Sequence, residues 1–156
     1  MSTPWARRRA RLAANPGGAI YGTIVATAVI AAAGQHQPAG IVLAETVVTL
    51  LVFWLAHVYA QVLSQPVRNV PATMGRELAL LEASAPSVLL LLLAALGLLG
   101  KGLAVNLALA TAVAALVWWG VLTARRLGRA WPAALFAGAV DGALGVVIIA
   151  LKALLP

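Results

Sequence analysis

The sequence predicts an all-α membrane protein: a bundle of about five transmembrane helices, with the N-terminus inside and the C-terminus outside. Three observations carry this. The 156-residue chain is 63% hydrophobic and 10% charged, with a mean hydropathy of +0.99. A soluble domain of this length leaves too much surface in water to hide that apolar area, so lipid must cover it. The apolar residues also fall into five runs divided by short polar or Pro/Gly punctuation, and the basic residues gather at alternate ends of those runs.

Eleven basic and four acidic residues give a net charge of +7. In a soluble protein this would suggest nucleic acid. Here the cations flank apolar runs, so membrane topology explains them and no nucleic-acid partner is expected. The absence of cysteine excludes disulfides, thiolate metal sites and a cysteine nucleophile. Arginine in excess of lysine, with abundant alanine, points to a GC-rich bacterial source and an inner (plasma) membrane location.

Residues 1–18, "MSTPWARRRARLAANPGG", read as a basic cytoplasmic or interfacial tail, and 19–156 as one transmembrane domain. The run "AIYGTIVATAVIAAAG" (19–34) is a short first span, although a basic head and an Ala-rich end also describe a signal peptide. After the polar turn "GQHQPAG", the second span covers 41–64, enough to cross about 30 Å of hydrocarbon. Its aromatics Phe53, Trp54 and Tyr59 suit an interfacial belt. "QPVRNVP" (65–71) reads as a loop. The third span is assigned to 77–100, beginning near Arg76 and kinked at Pro86, because the strongly apolar part alone is too short. A surface helix over 73–84 joined to the span by a bend is the alternative. The fourth span, 102–123, carries Trp118 and Trp119 near its end. A basic loop then leads to the fifth, 133–154.

With the N-terminus inside, Arg7, Arg8, Arg9, Arg11, Arg68, Arg76, Arg125, Arg126 and Arg129 all lie inside, and only Lys101 and Lys152 lie outside. The split is consistent over every loop.

Polar groups persist in hydrocarbon by pairing, by facing the bundle interior or by lining water. The candidates for an ion or proton pathway are Asp141, Glu45, His57, Glu82 and Asn106. Asp141 falls about ten residues into its span, roughly 15 Å deep and near the midplane. His57 and Glu82 lie nearer the inside, while Glu45 and Asn106 fall in the outer half. Such a ladder is what proton or cation movement requires. Glu45 and His57 are roughly 120° apart around one helix, which argues against a single file. Glu77 and Arg76 read as ordinary interfacial charges. Gly138 and Gly145 share the face of Asp141, and Gly138 with Gly142, like Gly18 with Gly22, has the small-xxx-small spacing of close helix packing.

No HExxH, GxSxG, Walker or dinucleotide motif occurs, and no histidine pair has ligand spacing, so neither enzyme activity, cofactor nor metal is expected. The leading expectation is a proton or cation channel or transporter using the intramembrane carboxylates. The alternative is a non-catalytic accessory or scaffold subunit in which those acids are interhelical contacts. Besides the lipid bilayer, the expected partners are further copies of the chain or a larger membrane complex.

Overall fold

The computed structural model describes residues 15–33, 36–64 and 69–154. The arginines of the N-terminal tail and Arg68 lie outside them. Five helices follow in order: α1 (Pro16–Ala33), α2 (Ala39–Ser64), α3 (Val70–Ala95), α4 (Lys101–Arg126) and α5 (Trp131–Leu154). All five are long and apolar enough to cross a membrane. The chain is therefore all-helical, with the makings of a multi-pass membrane protein.

The order of elements follows the sequence expectation, but several boundaries move. α1 starts at Pro16 and not at 19, because the Asn15 side chain caps it: Asn15 Oδ1 accepts a hydrogen bond from the Gly18 backbone N–H at 2.9 Å. Asparagine at the cap and proline at the first helical position are both favoured there. α3 starts at Val70 and ends at Ala95, well ahead of the expected 77–100. Pro71 sits in its first turn, where no intrahelical N–H is needed. Pro86 lies inside the helix, which continues through it, so there is no separate surface helix over 73–84. The segment 96–100 forms the turn to α4, where Gly97 takes φ +74°. The Leu98 N–H reaches back to the Leu93 carbonyl at 2.9 Å, a closing pattern that needs a left-handed residue. Gly128 closes α4 in the same way, at φ +75°.

The shortest helix is the central one. α1 packs against all four others, whereas α2 packs only on α1 and α3, and α5 only on α4 and α1. In α1, 44% of the residues are buried, against 17% over the most apolar part of α2. Its buried positions include Gly18, Ala19, Gly22, Thr23, Ala26 and Thr27. Apart from Ile30 these side chains are small, so four neighbours can approach its axis closely. A core of Ala26, Ile30, Val42, Leu50, Leu80 and Leu91 fills the space between α1, α2 and α3 and continues into α4 through Val105 and Ala108.

Two glycine seams hold the bundle, though not against each other. Gly22 of α1 lies on the backbone of Leu80 in α3, so close that a Cβ there would overlap the Leu80 carbonyl. The α5 glycines face α4. A Cβ on Gly138 would stand 2.7 Å from the Val117 carbonyl oxygen, one on Gly142 would meet the Val117 side chain, and one on Gly145 would meet Leu116 and Val113. Gly120 of α4 answers them, with the Gly138 Cα only 2.8 Å from where its Cβ would be. Gly18 behaves differently: its face is covered by its own cap, Asn15, and not by another helix.

The loop ends divide by charge. Arg76, Arg125, Arg126 and Arg129 lie at one end, with the head of α1, and Lys101 and Lys152 at the other. At the arginine end the Arg125 guanidinium covers the Trp131 ring, 4.5 Å from its centroid. Arg125 Nη1 also donates to the Arg129 carbonyl at 2.8 Å, tying α4 to the start of α5.

Candidate functional site

Glu82 apart, the acids, His57 and Asn106 occupy three separate places. The first is at the arginine end, where α1 begins, α2 ends and α3 begins. Glu77 is buried there, with 6% of its side chain exposed, and its Oε2 lies 3.4 Å from His57 Nε2. The same oxygen accepts a hydrogen bond from Asn15 Nδ2 at 2.7 Å. Asn15 thus joins two tasks, capping α1 through its oxygen and holding Glu77 through its nitrogen. Tyr21 flanks the cluster, its ring centroid 6.4 Å from that of His57 and 5.9 Å from that of Phe53.

Glu77 therefore corrects its reading as an ordinary interfacial charge. The sequence holds the signal for this: Glu77 is in step with the buried stripe Thr73, Leu80, Ser84, Ser87 and Leu91 of α3. Its neighbour Arg76 is exposed, on a different side of the helix. Glu82, the expected companion of His57, lies five residues further on and about 140° around α3. It is half-buried, and the contact of His57 is made to Glu77.

The second place is the opposite end. Glu45 lies in an open groove of about 510 Å³ between the end of α1 and the start of α2, beside His36, Gln37, Val48 and Thr49. Asn106 is near the same end but exposed on α4, which forms no packed pair with α2.

The third place is the seam between α4 and α5. Asp141 is half-buried, and its Oδ2 is 2.5 Å from where a Cβ on Gly120 would be. Side chains on a helix tilt toward its N-terminus, which carries this carboxylate toward the level of Gly120. The missing Cβ of Gly120 makes the recess it occupies. Asp141 has no hydrogen bond or ion pair among the described residues, and α5 forms no packed pair with α2, so Asp141 and His57 are not neighbours.

Comparison with known proteins finds no match: no family model, no curated protein and no solved structure resembles the chain significantly.

Between the three places the interior is mostly apolar, with its buried hydroxyls bonded to backbone carbonyls, although the Trp54 indole N–H is buried without a hydrogen-bond partner among the described residues. Ala26, Ile30, Leu80 and Leu91 are completely buried, and Leu50 nearly so. Thr23, Thr27, Thr46 and Ser84 each donate to the carbonyl four residues earlier in their own helix. Ser87 donates across to the Ala108 carbonyl at 3.1 Å, joining α3 to α4. These hydroxyls satisfy backbone acceptors and bind the bundle together. A pocket of about 220 Å³ between α2 and α3 is walled by Val47, Leu50, Leu51, Leu81, Ala85 and Val88 alone. Among the described residues, no three His, Asp or Glu side chains gather as a metal site would require.

Proposed function

We propose that this chain is a non-catalytic subunit of a membrane assembly, joined to its partner through the α4–α5 hairpin with Asp141 as the polar contact. The observation that carries the proposal is the state of that carboxylate. It stands about 15 Å along α5, half-buried, in a recess made by Gly120 and Gly138, with no partner among the described residues. A carboxylate in hydrocarbon is costly until a neighbouring group satisfies it. A second helix offering a hydroxyl, amide or amine from another copy or a larger complex would do so, for about 1 kcal/mol of interhelical hydrogen bonding. Asp141→Leu should then release the chain from the assembly with which the wild type co-purifies in mild detergent. An unchanged co-purification profile for Asp141→Leu would remove Asp141 from the contact.

The other reading, movement of protons or cations, draws on the titratable pair His57–Glu77. It fits the geometry less well, because Glu45, Asp141 and His57 stand apart, with Leu50, Leu80 and Ile30 filling the interior of the bundle.

The chain is further proposed to sit in a bacterial inner membrane with the arginine end in the cytoplasm, following the preference of Arg and Lys for inside loops. Protease added to intact spheroplasts should leave the loop between α2 and α3 uncut and cleave it only after permeabilisation. Cleavage in sealed spheroplasts would reverse the orientation.

A further inference from the structure

We propose that His57, Glu77 and Asn15 form a proton-operated latch that fixes the head of α1 against α2 and α3. One atom joins the three helices. Glu77 Oε2 accepts from Asn15 Nδ2 at 2.7 Å and lies 3.4 Å from His57 Nε2, while Asn15 holds the first turn of α1 through the Gly18 N–H. The two titratable partners differ in access. The His57 side chain is 31% exposed and that of Glu77 is 6% exposed. The imidazole is therefore the more open partner and the carboxylate the enclosed one.

The electrostatics give a direction. With His57 neutral, the imidazole and Glu77 share at most a neutral-donor hydrogen bond. With His57 protonated, the contact becomes a charge-assisted ion pair, roughly twice as strong. The extra positive charge acts on the oxygen that already holds Asn15, so acidification tightens the junction of α1, α2 and α3. α1 touches every other helix, which gives this one junction leverage over the bundle.

Among the described residues, few other charged groups stand close to Glu77. From α1 the cluster meets Asn15 and the ring of Tyr21, and from α2 it meets His57. On α3, Arg76 is exposed beside Glu77, and Glu82 points about 140° away. α4 also packs on α3, and its Arg125 is engaged with the Arg129 carbonyl and the Trp131 ring. Among the described residues, no α4 side chain makes an ion pair or hydrogen bond with Glu77.

The chain has no cysteine, so Gly17→Cys provides a unique attachment point. Gly17 is exposed in the first turn of α1, and a Cβ there approaches only the Asn15 oxygen, at 3.9 Å. A nitroxide attached at this site in the full chain, reconstituted in nanodiscs, reports whether the head of α1 is held. Its spectrum is compared at the two ends of the range in which imidazoles titrate, about pH 8 and pH 5. The immobile-to-mobile ratio should rise about fivefold on acidification, the factor for exchanging a neutral hydrogen bond for a charge-assisted one. His57→Gln should abolish the change. Glu77→Gln should abolish it too, while its amide oxygen still accepts from Asn15 and keeps the fold. A ratio that does not change with pH, or a change that persists in either variant, overturns the latch.

Discussion

Gly22→Ala is expected to destabilise the bundle by about 3 kcal/mol, the upper end of the ordinary cost of overpacking. Gly22→Leu is expected to leave no stable fold. The reason is the kind of atom in the way. A Cβ at position 22 would overlap the Leu80 carbonyl group and crowd its Cα, and all of these are backbone atoms. A crowded side chain can change rotamer, but a crowded helix backbone can only move. α1 would have to withdraw from α3, which opens the core at Ala26, Ile30 and Leu80 and strains the contact of Asn15 with Glu77. Gly17→Ala, on the exposed side of the same helix, should by contrast be neutral or stabilising, because alanine is the better helix former by about 1 kcal/mol. Unfolding in SDS, followed through the fluorescence of the five tryptophans, measures both. Equal stability of Gly22→Ala and Gly17→Ala would mean that α1 and α3 do not meet at position 22.

Under acidic conditions that charge the imidazole, His57→Ala is expected to cost about 2 kcal/mol in the same assay. Removing one partner of a fully buried ion pair costs about 3–5 kcal/mol, because a charge is left behind without compensation. The figure here is lower because the imidazole is 31% exposed and water screens part of the interaction. The carboxylate that remains is almost fully enclosed, with Asn15 as its other partner. Replacing both groups removes the stranded charge, so His57→Ala combined with Glu77→Leu should recover most of the loss. If the double variant were less stable than His57→Ala alone, the pair would not be the unit that matters.

The sequence carried the five helices well and their packing poorly, and α3 shows why. Runs of apolar residues locate the lengths of chain that hydrocarbon must cover. A helix does not end where its apolar run ends. α3 extends back to Val70 through a polar turn that holds Arg76 and Glu77, and Pro86 does not stop it. Hydropathy alone reads those first turns as loop. The same habit hid Glu77, which looked interfacial beside Arg76 although its register with Thr73, Leu80 and Ser84 places it on the buried stripe. Asn15 reads by composition as part of a tail, although Asn-Pro is a helix-starting pair.

The face of each helix that meets another is harder to read. In a lipid-facing helix both the outside and the inside are apolar, so polar contrast gives little direction and close approach of small residues gives more. The glycines at 22, 138, 142 and 145 lie where a neighbouring helix leaves no room for a Cβ. What they could not name was the opposite side. Gly22 meets the backbone of a leucine, which has no motif, and Asp141 owes its recess to Gly120 in another helix. For the same reason Asp141 and His57, which look like neighbours when depth alone is counted, belong to helices that form no packed pair.

If Asp141 serves assembly and the His57–Glu77 pair serves packing, as proposed, neither lines a conducting path. Proton flux into liposomes holding the purified chain, driven by a pH gradient and clamped with valinomycin, tests this most directly. A trace matching empty liposomes is expected for the wild type, and the same trace for Asp141→Asn and Glu45→Gln. A wild-type flux above that background, reduced by either substitution, would contradict the proposal.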